Sequence, residues 1–229
     1  LRKHLAGLVF VARVPAERRQ RMRARLFESA LVLAASEGPE AVSIDDVIRV
    51  AKVSRGTFYK YFDAPRSLLQ ELAAEVSRAV IETMDPLVTP LDDVAERVAV
   101  GVRTALRLVR AHPILGDFMV RAGWPAMDRT HLFFVAVGGD IGKGIRQGRF
   151  APMHVDVGLN LLAGSMVGAM HSLNHSKVPR DFPEQTAAAV LRALGLPARE
   201  VRDLATRPLP MPSIPPESLL WQLVGQHSD

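Results

Sequence analysis

Apolar residues recur along this chain at intervals of three and four and nowhere alternate strictly with polar ones, so the periodicity predicts helices throughout. The first long stretch runs from 15 or 16 to 37, with Leu26, Phe27, Ala30, Leu33 and Ala34 as its buried stripe. Gly38 suits the left-handed position just past a helix end, and Pro39 stops the helix. Ile44, Val47, Ile48 and Ala51 then fall at i, i+3, i+4 and i+7, the mark of a short helix with one apolar face. Ser43 precedes it as N-cap and Asp46 stands three residues on, a capping-box pattern with Asp in the usual Glu or Gln place. Lys52 and Val53 make a tight connection. Ser54 is a second N-cap and opens a helix over 54–62, in which Phe58 and Phe62 share one face while Arg55, Gly56, Tyr59 and Lys60 take the other. Two short helices around a turn, the second with a basic and aromatic outer face, predict a helix-turn-helix.

The rest of the pattern is helical too. Pro65 opens a helix to about 84 with Leu68, Leu69, Leu72, Val76 and Val80 on one side, and Pro86 and Pro90 mark a turn after it. Further helices are expected over 91–111, ended by His112-Pro113, and over 114–123, interrupted by Trp124-Pro125. Others follow over 128–147, 156–174, 183–194 and 198–205, and from Arg207 the tail is Pro-rich. The fold class is therefore all-α. It divides into an N-terminal arm (1–15), a helix-turn-helix domain (16–64), a larger helical domain (65–206) and a C-terminal tail (207–229).

The outer face of 54–62 has a chemical use. The planar fork of Arg55 can meet guanine O6 and N7 together, or a phosphate. Thr57 and Tyr59 can donate to phosphate oxygens, and Lys60 adds backbone charge. Gly56 is costly inside a helix unless the backbone must press close to another molecule. With its context, Val53-Ser54-Arg55-Gly56-Thr57-Phe58-Tyr59-Lys60-Tyr61-Phe62 followed by Leu68-Leu69, the stretch resembles the core of the tetracycline-repressor (TetR) family of bacterial regulators. The likeness is strong over about residues 18–72 and diffuse beyond. It implies DNA-binding roles for Ser43, Ser54, Arg55, Gly56, Thr57, Tyr59, Lys60 and Tyr61, with Phe58 and Phe62 as core. Two positions depart from the family pattern: Lys52 stands where the turn usually has Gly, and Pro65 where a phosphate-binding Lys is usual.

Charge changes the picture further. Residues 1–62 hold 12 Lys and Arg against 6 Asp and Glu, while 63–229 hold 17 against 18, so the whole basic excess lies with the helix-turn-helix. This is the electrostatic footprint a polyphosphate partner requires. Arg18, Arg19, Arg21, Arg23 and Arg25 crowd the first half of the 16–37 helix, where cations oppose the helix dipole, and are expected to meet phosphate. There is no cysteine, hence no disulfide framework or thiolate chemistry, in keeping with a reducing cytoplasm. No run is apolar enough to span a bilayer. The apolar stretch 5–12 after Arg2-Lys3 has the look of a short leader, but Arg13 follows it, and a basic arm is the expectation.

Other motifs carry less. The segment 138–144 resembles a phosphate loop, yet it has three residues rather than four before Gly142-Lys143, and Gly144 replaces the Ser or Thr that binds magnesium. A nucleotide-dependent enzyme using this segment is the alternative function, together with an effector-less activator of the same fold. His171 and His175 have metal-ligand spacing but no third partner, so no metal and no cofactor are expected. Gly164 and Gly168 let a second helix approach closely. The resemblance implies a homodimer through helices of about 156–174 and 183–194, which would double the reading head on a palindromic operator. It also implies a pocket for a small apolar or amphipathic ligand, with Met119, Trp124, Met127, His131, Phe134, Met166, Met170 and His171 as candidate lining. The expected function is a cytoplasmic transcriptional repressor released from DNA by that ligand, not an enzyme.

Overall fold

The computed structural model of the protein describes residues 2–122 and 132–214 with Ser218 and Trp221; side chains are described from 18 to 121, from 135 to 214 and at those two. Among the described residues every regular element is helical. The chain divides into two compact units, Leu1–Leu72 and Ala73–Asp229.

In the first unit, helix α1 spans Arg2–Glu37. It begins well before the expected start at 15 or 16, and Pro15, which lacks a backbone donor, lies inside it. Leu26, Phe27, Ala30, Leu31 and Ala34 are all but fully buried. Gly38 ends the helix at φ 91°, donating its N–H to the Ala34 carbonyl at 3.1 Å. A 3-10 turn, Pro39–Ala41, leads to α2, Ile44–Ala51. The cap on α2 is only half a capping box. Ser43 Oγ accepts from the Asp46 N–H at 3.2 Å, but the Asp46 carboxylate takes the Ser43 hydroxyl instead of its backbone N–H. Asp is a methylene shorter than Glu and stays near its own turn. Ser43 and then Arg49 hold the Asp46 carboxyl below its ordinary value.

Lys52 closes α2 in the left-handed conformation, at φ 50° and ψ 50°. Val53 N–H reaches the Ile48 carbonyl at 3.0 Å and Lys52 N–H that of Arg49 at 3.3 Å, the paired bonds of a Schellman end with lysine at the glycine position. Ser54 then caps α3, Arg55–Tyr59, through the Thr57 N–H. This helix is shorter than the expected 54–62; Lys60 and Tyr61 continue it as a turn, and Phe62 N–H still bonds to the Phe58 carbonyl at 3.1 Å. Phe58 and Phe62 are buried, 6.1 Å apart by ring centroid, and Phe62 lies 5.5 Å from Phe27 of α1. The Arg23 guanidinium covers the Phe27 ring at 5.0 Å and the Phe62 ring at 5.5 Å, and pairs with Glu71. Glu71 lies on α4, Pro65–Val88, whose Leu68 and Leu72 complete this core.

In the second unit, α4 runs on through Pro86, where a turn was expected. Proline in the last turn removes a single backbone bond, and the helix ends two residues later. Helix α5, Val94–Ala111, is buried on nearly every side, Arg103 and Thr104 included. Around it stand α6 (Pro113–Ala122), α7 (Leu132–Arg146), α8 (Val155–His175), α9 (Phe182–Ala193) and α10 (Ala198–Thr206). Arg149, in the connection after α7, ties two of these elements. It grips Asp93, the N-cap of α5, with Nε at 2.8 Å and Nη2 at 2.7 Å, and Glu200 of α10 at 2.6 Å. That bond from Arg149 holds the Asp93 carboxyl below its ordinary range. Farther along α5, Arg103 and Arg107 share Glu184 of α9 at 3.2 and 2.7 Å. Burial alone would raise the Glu184 carboxyl, but the two guanidinium bonds together keep it low.

Helix α7 passes unbroken through 138–144, so the phosphate-loop reading fails. A helical backbone spends its N–H groups on its own carbonyls and has none to cradle a phosphate. Gly144 serves packing and Gly148 the helix end. A Cβ on Gly144 would sit 2.2 Å from the Phe150 ring. Gly148, at φ 68°, lets the Arg149 N–H turn back to the Gly144 carbonyl at 2.8 Å.

Two substitutions measured by thermal or denaturant unfolding check this account. Lys52→Gly should stabilise the protein by about 1 kcal/mol, because it removes the left-handed penalty. Gly144→Ala should destabilise it by about 1–3 kcal/mol, because Phe150 must leave its rotamer.

Candidate nucleic-acid interface and effector pocket

The anchoring of Phe58 and Phe62 fixes which side of α3 faces outward. Ser54, Arg55, Gly56, Tyr59 and Lys60 are exposed, and Thr57 and Tyr61 are half-buried. All the residues expected on this face thus lie together at one surface, with the Tyr59 side 49% exposed. The Ser54 and Thr57 hydroxyls are 2.9 Å apart and share a hydrogen bond. Ser43, at the start of α2, is exposed with its hydroxyl donated to Asp46. Arg55 Nη2 donates to Asp45 Oδ1 of α2 at 2.5 Å, which raises the Arg55 guanidinium pKa. Sequence reasoning missed this partner, because no periodicity links residues ten apart on different helices.

A Cβ built on Gly56 would meet nothing nearer than Ser54 Oγ at 3.9 Å. Packing within this chain therefore does not demand glycine there. Of the α1 arginines, Arg18, Arg19, Arg21 and Arg25 are exposed, and Arg23 lies on the Phe27 and Phe62 rings and pairs with Glu71. All five were expected to meet phosphate. Pro65 occupies the first position of α4 with Arg66 exposed beside it.

The second unit holds a pocket of about 120 Å³ between α4, α5, α7 and α8. Met84, Val88, Val98, Val102, Leu162 and Met166 give it apolar walls, and Gly101, Ala105 and Ala136 leave the space. Four polar residues border it as two bonded pairs. Arg97 Nε meets Asp140 Oδ2 at 2.8 Å, and Thr89 Oγ1 donates to Asp85 Oδ1 at 2.6 Å. Of the ligand-binding candidates, Met166 lines this pocket. Met170 is buried in the core and Met119 packs against it. His171 is exposed, its ring 4.6 Å from that of His175, which pairs with Asp117 at 3.1 Å. Trp124, Met127 and His131 lie outside the described residues, as does the Phe134 side chain. The wall residues of α5 were legible only as a core stripe. Nothing in the sequence tells a residue that fills a core from one that borders a gap in it.

A helix-turn-helix with its reading face exposed, joined to a separate helical unit, defines a class of DNA-binding proteins. Residues 26–72 match the family model of bacterial regulatory proteins, tetR family, and residues 93–207 that of the tetracyclin repressor-like C-terminal domain. The crystal structure of RolR in complex with resorcinol is 33% identical at a TM-score of 0.67, covering 86% of this chain and 100% of that one. A putative tetR family transcription regulator from Shewanella sp. PV-4 shares the fold at 18% identity and a TM-score of 0.67, over 77% and 99% of the two chains. An uncharacterized HTH-type transcriptional regulator of Mycobacterium tuberculosis is 28% identical over 91 residues, 40% of this chain and 45% of that protein. The chain thus spans under half the length of the curated relatives it matches. It belongs to the TetR family of transcriptional regulators. Among the described residues no helix is long and apolar enough to cross a membrane.

Gly56→Ala separates folding from recognition. With room for the methyl group and a better helix former in place, unfolding experiments should show a gain of up to about 1 kcal/mol. The same substitution should weaken DNA binding in a fluorescence-anisotropy titration.

Proposed function

We propose that this protein is a cytoplasmic homodimeric repressor that leaves a palindromic operator when a small ligand fills the pocket of its second unit. The observation that carries the DNA reading is the surface of α3, where arginine, tyrosine, lysine and an unneeded glycine lie exposed together. Arg55 reads a base edge, Tyr59, Lys60, Thr57 and Ser43 position the backbone, and Ser54 and Tyr61 frame the helix. Pairing two copies would place the α3 helices one turn of duplex apart, about 34–36 Å. The outward face of α8 supports the dimer: Val157 and Leu161 are exposed large apolar residues, and Gly164, Ser165 and Gly168 share their face with open space around them. Ala189 and Ala193 of α9 are exposed as well. The arm (1–15), DNA-binding domain (16–64), effector and dimer domain (65–206) and tail (207–229) are the working divisions of this reading.

The effector is a small uncharged aromatic, a phenol such as the resorcinol bound by RolR. Apolar walls and a volume near that of a cavity able to hold benzene, about 150 Å³, suit a single ring. Asp85 and Asp140 supply acceptors for its hydroxyl groups, and they disfavour a carboxylate. The ligand acts by its differential affinity for the DNA-competent and incompetent states, and by no more than that difference.

The test uses DNA from upstream of the protein's own gene, searched for an inverted repeat, with resorcinol as the first probe. Gly101→Leu, which fills the pocket, should leave DNA binding intact while abolishing release by the probe. Arg55→Ala should weaken operator binding about 5- to 150-fold and relax one base pair, whereas Lys60→Ala should weaken all sequences and lower the salt slope by about one. Full operator binding by Arg55→Ala would remove α3 as the reading element.

A further inference from the structure

We infer that Asp45 is a specificity-determining residue of the DNA interface, holding the Arg55 guanidinium for a guanine edge and denying it to phosphate. This rests on the reading that α3 meets base edges. The geometry is a bridge between two helix starts: Asp45 lies in the first turn of α2 and Arg55 opens α3. Arg55 Nη2 donates to Asp45 Oδ1 at 2.5 Å, with both side chains more than half exposed. The neighbouring acid is occupied otherwise, since Asp46 takes the Ser43 hydroxyl and pairs with Arg49 at 2.6 Å. An exposed ion pair of this kind adds little to folding, so the fold does not call for it.

An arginine carries five N–H donors. One given to Asp45 leaves others for the two acceptors of guanine, O6 and N7, and the carboxylate fixes the plane in which they point. The two possible uses of Arg55 then differ in what they leave behind. On guanine, Arg55 can keep Asp45 neutralised. Drawn away to a phosphate, it would leave Asp45 as an uncompensated negative charge beside a polyanion. Asp45 thus penalises the sequence-blind contact more than the specific one, which is how a repulsive element sharpens a preference. Once held in the groove, its free oxygen can also accept from a cytosine amino group.

The experiment selects binding sites from a randomised duplex library with the full-length wild type and with Arg55→Ala, Asp45→Ala and Asp45→Asn, then titrates each against one random-sequence duplex at several salt concentrations. Thermal melting checks that each variant is folded. The wild type should select an inverted repeat with guanine at one position of each half-site, and Arg55→Ala should erase that guanine. Asp45→Ala should lower the guanine preference about fivefold or more and tighten binding to the random duplex. Asp45→Asn, which keeps an acceptor without the charge, should recover part of the base preference while still binding random duplex more tightly than the wild type. An unchanged guanine preference in Asp45→Ala, or a uniform loss of affinity for every sequence, would overturn the role assigned to Asp45. Guanine retained by Arg55→Ala would instead overturn the placement of α3 beneath it, and the two failures are read from different variants.

Discussion

A helix of five residues has no stability of its own, so the outward face of α3 depends on the seating of Phe58 on Phe62 and of Phe62 on Phe27. The rings bury one side of α3 and its following turn, and the opposite side is thereby set. Arg23 closes the arrangement from above. Its guanidinium lies over two of the three rings and is held there by Glu71. A cation over an aromatic face with a carboxylate partner resists rotation in a way that an aliphatic lid would not. The outward direction of Arg55, Tyr59 and Lys60 is a consequence of that packing.

The second unit uses a different constraint. Helix α5 is buried almost all round, and a buried helix that carries arginines needs them paired. Arg103 is nearly inaccessible and leans on Glu184, with burial pulling its pKa down and the carboxylate opposing that pull. At the α5 start, Asp93 is at once N-cap and anchor for Arg149. These ties fix α5 against α9 and α10, so the gap on its other side is a defined space rather than slack packing. Gly101 and Ala105 open that gap and Met84 and Met166 border it, with polar pairs at its edge already satisfied. Arg97 and Asp140 are bonded to each other at that edge, as are Thr89 and Asp85.

How much of this was legible in the sequence follows from the range of each interaction. The caps at Ser43 and Ser54, the aromatic pair at i, i+4 and the glycine past α1 are local, and the periodicity located them with the all-α class. Boundaries slipped where a proline sat in a helix turn that tolerates it, as at Pro86, or where a helical spacing continued through one, as at Pro15. Contacts between distant positions were out of reach. Arg97 and Asp140 are 43 residues apart and each looks like a solvated charge; Arg23 looks like one more phosphate ligand. Of the large apolar candidates Met166 does line the pocket, and Gly101, Ala105 and Ala136 line it too. Size patterns within one helix do not announce that gap.

Two neighbouring departures from local preference say most about what shaped this surface. Lysine sits at position 52 in a conformation that favours glycine, and glycine sits at 56 in a helix that would gain from alanine. Exchanging the two preferences would raise stability at no cost to packing, because neither site is crowded. Locally inconsistent residues of this kind are expected where function overrides the fold. At 52 the inconsistency adds a cation to the turn between the two helices. At 56 it strips the side chain from the middle of the exposed face, so that the α3 backbone can come close to whatever lies opposite. Lys52 and Gly56 are both exposed, and added charge with bulk taken away is what a deep and negatively charged groove would demand of the helix that enters it.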